Sequence, residues 1–335
     1  MSEARLPTSS SSVTKQSLAY ERLLKWLQEK AADVATTDRA NSSAASSLSD
    51  TPLARLQHQA KEASIQAERK QAETPQQLFL PGFDIGAFPN RLNRSSLIAP
   101  IARGQRKFYR QAVMVTRGNC VLEYTGEQLD EADGDLIMAL IAFAQPFLLG
   151  MPVLLNRKQL LRAIKSGGIG KTQYTWLHES MKRLRAAALF LEVRKGDGSL
   201  HYRVGQMVSF NILKDVSFSD NNETYAYTLD PRWVKLFGNR EYSLLDWEKR
   251  MKIRRGQDMA KTLQRLLATS ADAVQRYALD DLKAQMGYTS PMHKFRTSLS
   301  AACKEIERLE IVSAWRLEES TKGKPQLVMW RPKTA

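Results

Sequence analysis

Gly170-Lys171-Thr172 has the ending of a nucleotide phosphate-binding loop, in which backbone N–H groups cradle the phosphates and the lysine reaches the outer ones. That motif also needs a glycine five positions before its last one, and position 165 is Lys. It needs a buried strand leading into the loop, and here a basic amphipathic stretch precedes it. His293-x-x-Arg296 has the spacing of the tyrosine-recombinase box, whose DNA phosphate is attacked by a tyrosine oxygen further along the chain. No Tyr follows Tyr288. Cys120 and Cys303 are the two cysteines, and the four histidines form no zinc-ligand pair with each other or with them. No catalytic residue, metal or cofactor is therefore expected, and the chain reads as a non-enzyme. What remains is chemistry without bond-making: cations offered to phosphates and polar side chains offered to base edges.

The candidates for that work fall on one pattern that occurs twice. A short apolar helix, a turn and a longer basic helix lead into two strands joined by a polar hairpin. The first copy spans about Leu154–Phe210 and the second about Tyr277–Trp330. This is the outline of a winged helix-turn-helix, which lays its longer helix in the DNA major groove. In the first copy, Asn156 caps a helix over Leu160, Leu161 and Ile164, and Gly167-Gly168-Ile169-Gly170 makes the turn. Tyr174, Leu177, Met181 and Leu184 then share the buried face of a helix from Lys171 to Ala187. From Arg157 to Arg185 there are eight Lys or Arg and one acidic residue, Glu179, a bias that suits phosphate contact. In the second copy, Ser290-Pro291 starts a helix whose buried stripe is Phe295, Leu299, Ala302, Ile306 and Leu309.

Phosphate contacts are expected from Arg157, Lys158, Lys171, Lys182 and Arg185, from Lys294 and Lys304, and from Lys195 and Lys322 at the wing tips. Lys249, Arg254 and Arg255 add to them from a helical region expected over Leu244–Thr269. Gln173, Thr175, Arg296 and Thr297 are the candidates for base edges.

Bulk properties agree. The chain has 335 residues and a formal net charge of +15, which favours polyanions. Residues 1–75 hold ten Lys or Arg and nine Asp or Glu, so +14 of that charge falls on residues 76–335. No secretory signal and no apolar run of about 20 residues are seen, which excludes a membrane span and suggests a reduced cytoplasm.

The expected fold is α+β, with two tandem winged helix-turn-helix domains behind a disordered N-terminal tail. The divisions are 1–75 (tail), 76–104 (linker), 105–220 (first winged domain) and 221–335 (second). In the tail, Leu18, Leu23, Leu24, Trp26 and Leu27 read either as a transient helix or as a partner-docking helix near 16–30. Leu53–Glu73 reads as a solvated polar helix. A hairpin is expected around Arg117-Gly118-Asn119, with Asp133 or Asp135 capping the helix after it. In the linker, Gln77-Leu78-Phe79-Leu80-Pro81 either packs against the first domain or serves as a linear motif. It resembles the bacterial sliding-clamp-binding peptide, with Gln77 for a polar pocket and Leu78 and Leu80 for an apolar one. Gly82 stands where that peptide has its last apolar residue.

From Gln77 to the C-terminus the sequence resembles the TrfA family of plasmid replication initiators. The resemblance is carried by Gln77-Leu78-Phe79-Leu80, Tyr124-Thr125-Gly126 with Leu129 and Asp133, the helix Tyr174–Leu184, Leu236-Phe237-Gly238, and Ala302-Cys303-Lys304-Glu305 with Leu309. It implies a bacterial, cytoplasmic protein that binds direct repeats (iterons) in double-stranded origin DNA as a monomer. Bound copies would help melt AT-rich DNA and recruit the host's DnaA, DnaB helicase and sliding clamp. A homodimer would be the inactive form in plasmid copy control. The competing readings are a winged-helix transcriptional repressor, which would read a palindrome as a dimer, and a nicking or joining enzyme, for which the sequence offers no site.

Overall fold

The computed structural model describes residues 52–332, apart from 79, 81–84, 102–105, 166 and 220–222. The run near 16–30, Phe79 and Gly82 lie outside the described residues. Helix α1 (Pro52–Glu73) is the first described element, and the chain divides within it, between Ser64 and Ile65, into two units. In the second unit the rest of α1 is fastened by Glu68. Its carboxylate accepts from the backbone N–H groups of Gly205 and Met207 at 2.8 and 2.7 Å and pairs with the Arg232 guanidinium at 3.2 Å. Residues 65–75, expected in the tail, are therefore held in the fold, because one carboxylate satisfies a set of otherwise open donors.

The linker expected over 76–104 is also part of the fold. Gln76 and Leu149 exchange backbone hydrogen bonds of 3.1 and 2.7 Å. The Gln77 amide donates to the Gln145 carbonyl at 3.1 Å, Leu78 is buried, and Leu80 packs on the same core. Of the two readings of this segment, packing is the one realised at residues 77, 78 and 80, so Leu78 cannot enter a clamp pocket while it stays in place. Strand β1 (Ala87–Pro89) and helix α2 (Asn90–Asn93) follow, and Phe88, Leu92 and Ile98 are fully enclosed.

Hairpin β2 (Phe108–Val113) and β3 (Cys120–Glu127) turns through Gly118 as expected. Gly126 has φ +147, and a Cβ there would lie 2.7 Å from the Tyr124 hydroxyl, so only glycine fits. Helix α3 (Glu131–Ala144) is capped by Asp130, with Asp133 as the reciprocal member of a capping box and Asp135 free for another role. This corrects the expected cap. Next come β4 (Pro152–Asn156), α4 (Arg157–Ile164), α5 (Lys171–Ala186), and the wing strands β5 (Ala188–Arg194) and β6 (Leu200–Val204). Strand β5 lies between β3 and β6 in an antiparallel sheet and also pairs with β7 (Phe210–Asn211). Strand β4 does not join the wing. It pairs with β9 (Thr224–Thr228), which pairs with β8 (Asp215–Phe218).

That pairing moves the boundary expected at residue 220. Tyr225, Tyr227 and Leu229 belong to the first core, as do Trp233 and Phe237 of α6 (Trp233–Phe237). Strand β10 (Tyr242–Leu244) closes this core by pairing with β1. The second core runs from Ile253 to Met329. The helix expected over Leu244–Thr269 is two, α7 (Trp247–Met251) and α8 (Asp258–Ala268), broken at Gly256 with φ +85. Beyond them lie β11 (Val274–Ala278), α9 (Leu279–Gln285), α10 (Met292–Arg308), β12 (Ala314–Glu319) and β13 (Pro325–Trp330). Here the first strand does join the wing, in the order β11-β13-β12. The architecture is thus α+β with two tandem winged units. Among the described residues, no helix is long and apolar enough to cross a membrane.

The two winged units are joined by buried charge. Glu131, at the start of α3, accepts from Arg250 of α7 at 2.8 Å and from Arg265 of α8 at 2.6 Å, and from the Thr262 hydroxyl at 2.6 Å. Asp135, one turn on, pairs with Arg250 at 2.5 Å and with Lys261. Arg265 also donates to the Ile98 carbonyl at 2.9 Å. Burial pushes the Glu131 carboxyl up, but Arg265 and Arg250 outweigh it and hold it down at about 2. A carboxyl depressed on folding contributes stability above its unfolded value, near 4.3, and loses it as pH falls towards 2.

Two outcomes follow for urea unfolding. Glu131→Gln should cost about 3–5 kcal/mol, because it strands buried guanidinium groups, and should flatten the fall in stability between about pH 4.5 and pH 2. Leu78→Ala should cost about 2–5 kcal/mol, as expected of a core leucine and not of an exposed linear motif.

Candidate nucleic-acid interface

Helix α5 buries Leu177, Met181 and Leu184 at 0% exposure, so the spacing of its apolar residues turns the remaining face outward. On that face Lys171, Thr175 and Lys182 are exposed, and Arg185 is exposed at its edge. Glu179 lies among them, 3.9 Å from Lys182, and Arg185 lies 3.8 Å from Asp215. These are loose, solvent-screened pairs that a phosphate can displace. Arg183, another member of the basic run, is different. It pairs with Asp133 at 2.8 Å and Glu127 at 2.9 Å, while Asp133 also receives the Ser180 hydroxyl at 2.5 Å. It fastens α5 to α3 and the end of β3.

Arg157 is half-buried and lies 4.4 Å from the Tyr174 ring centroid, in a cleft it shares with Lys171, Thr175 and His178. Lys158 is exposed beside it. Gln173 is placed differently from its expected role. Its side-chain oxygen accepts from the Gly170 N–H at 2.9 Å, completing the start of α5. The Thr175 hydroxyl donates to the Lys171 carbonyl at 3.1 Å. With its proton so used, Thr175 offers a base edge an acceptor and a methyl group, which suits an amino N–H or the thymine methyl.

Helix α10 repeats the arrangement. Phe295, Leu299, Ala302, Cys303 and Ile306 are at 0% exposure, and Lys294, Arg296, Thr297 and Lys304 face solvent. The Thr297 hydroxyl donates to the His293 carbonyl at 3.1 Å, as Thr175 does one turn back on α5. Lys195 and Lys322 are exposed at the two wing tips. The first tip is braced where Asn119 donates to the Lys195 carbonyl at 3.1 Å. Gly198 and Gly323, with φ +84 and +68, close the two turns.

The segment between α7 and α8 separates the expected cations. The Lys249 ammonium donates to the Glu310 carbonyl at 2.9 Å, which occupies it at the end of α10. The Arg254 backbone N–H donates to Glu305 of α10 at 2.8 Å, and its side chain lies 3.8 Å from the same carboxylate. Arg255 is exposed. The sequence places Lys165 in the basic run without singling it out and gives no role to Trp176, yet the Lys165 ammonium and the Trp176 ring centroid are 4.1 Å apart. No pattern signals that pair, because the glycine-rich turn between α4 and α5 decides it.

No family model and no curated protein matches this chain. Among solved structures, the crystal structure of RctB domains 2–3 is similar at 13% identity and TM-score 0.47, over 70% of this chain and 95% of that one. A selenomethionine derivative of RctB domains 2 and 3 is similar at 13% identity and TM-score 0.45, over 70% of this chain and 94% of that one.

Gln173→Ala should lower thermal stability by about 1 kcal/mol, since a helix-start bond is removed, and leave base preference unchanged. Lys182→Glu with Arg185→Glu should weaken duplex binding and flatten its dependence on salt, by about 0.9 in log–log slope for each phosphate no longer neutralised.

Proposed function

We propose that this protein is a replication initiator that binds direct repeats in duplex DNA at an origin, one chain per repeat. The observation that carries the reading is the pair of exposed basic helices, α5 and α10, on two winged units joined through Glu131 and Asp135. The two helices differ in sequence, so one chain addresses two unlike neighbouring stretches, one helical turn of ~34 Å apart. An asymmetric reader matches a direct repeat. A palindrome would need a second copy, which makes the repressor reading the weaker one. Phosphate contacts would orient the chain while Thr175, Arg296 and Thr297 meet base edges. Bending or unwinding of adjacent AT-rich DNA is within reach, since such deformation costs a few kcal/mol.

The iteron, the plasmid origin, copy control by a homodimer and recruitment of DnaA and DnaB come to this chain through the resemblance to TrfA initiators. Clamp recruitment through Gln77, Leu78 and Leu80 would require that segment to leave the first core.

The direct test is binding of the purified chain to DNA flanking its own gene, against scrambled DNA, at about 150 mM salt, where non-specific contacts weaken. Stepwise complexes, one per tandem repeat, are expected. A single two-copy complex on a palindrome would favour repression, and equal weak binding to both DNAs would end the initiator reading.

A further inference from the structure

A cleft of about 490 Å³ opens between the start of α5 and the segment that joins α7 to α8. Lys165, Thr172 and Trp176 line one wall, and Arg254, Arg255 and Asp258 the other. Lys165 is half-buried with its ammonium on the Trp176 ring, and has no carboxylate at ion-pair distance among the described residues. Burial draws its pKa below the ordinary lysine value. A desolvated, unpaired ammonium is costly in a free-standing fold, so an anion would relieve it.

The neighbouring charges sort by partner. Lys261 is engaged by Asp135 and Arg254 faces Glu305, while Arg255 is exposed with no ion pair among the described residues. Asp258, in the first turn of α8, is the carboxylate on the lining, and Asp135, Asp130 and Asp133 act on Lys165 from beyond ion-pair distance. Gly167 and Gly168 border the same opening. A Cβ at either would meet nothing within 4 Å, and neither has a φ that demands glycine. Their missing side chains leave the mouth clear.

We propose that Lys165 and Arg255 form a phosphodiester site in this cleft, holding one backbone phosphate of duplex DNA between the stretches met by α5 and α10. The inference rests on the DNA-binding reading above and deepens it. The joining segment is bonded to α10, where the Arg254 N–H meets Glu305 at 2.8 Å and Arg308 donates to the Lys252 carbonyl at 3.1 Å. Its other side faces Thr172 and Gln173 of α5. On this proposal a duplex lying against both helices would cross this opening. A phosphate there carries no base identity and sets the register of both helices.

The test uses the full chain, a labelled random-sequence duplex and a salt series. Lys165→Gln with Arg255→Gln should lower the slope of log affinity against log salt by about 0.9, the value for one phosphate. Without DNA, its melting temperature should hold or rise, because an unpaired desolvated ammonium is gone. Lys252→Gln, an exposed cation near the cleft, should leave the slope unchanged. A slope unaltered by the Lys165–Arg255 pair, but lowered by Lys182→Glu with Arg185→Glu, overturns the cleft site and leaves DNA binding standing. An equal drop from Lys252→Gln also overturns it, since only general charge would be acting. A slope unaltered by every variant overturns both readings.

Discussion

Glu131 is the residue on which the arrangement of this protein turns. It is fully buried, on the first turn of the first winged unit's leading helix, and its two oxygens hold arginines from α7 and α8. A buried ion pair of this kind is a weak source of net stability, since desolvation consumes most of the attraction. Its strength is directional. Arg250 bridges Glu131 to Asp135, and Arg265 bridges Glu131 to the Ile98 carbonyl, so few orientations of the second winged unit satisfy every donor. An apolar seam would tolerate sliding; this one does not. The separation of α5 from α10, on which the proposed two-site recognition depends, is inherited from it.

The same economy recurs at smaller scale. Glu68 satisfies open backbone donors after the first wing together with Arg232, and Asp133 collects Arg106, Arg183 and Ser180 around the start of α3. Glu305 ties Arg308 and the Arg254 backbone to α10. In each case a buried or half-buried carboxylate takes up cations that a count of charges would assign to DNA. Among the described residues, the cations left for an outside anion are those whose partners are distant, exposed or missing, so the available basic surface is smaller than a net charge of +15 suggests.

Reading the sequence recovered both winged units because their signals are local. The seven-residue spacing of Leu177 with Leu184 and of Leu299 with Ile306 identifies the buried face of each long helix, and the glycines at 198 and 323 locate the wing turns. Readings failed where the answer depends on a distant partner. Tyr225–Leu229 alternates as a strand should, yet nothing in it says that the partner is β4 and not the second winged unit. Gln77 and Leu78 could either pack or serve as a linear motif, and only the closure of the first core shows Leu78 buried with Gln77 half-buried beside it. Gln173, a candidate for base edges, has its side-chain oxygen on the Gly170 N–H, a bond its place in the basic run does not announce.

The sequence alone thus determined the class of fold and the two exposed basic helices, because periodicity, capping and turn residues act over a few positions. Tertiary structure decided which cations are spent internally, where the two cores divide, and how α5 stands relative to α10. Those outcomes hang on pairings such as Glu131 with Arg250 and Arg265, more than a hundred residues apart, and on the desolvation that makes each pairing obligatory once buried.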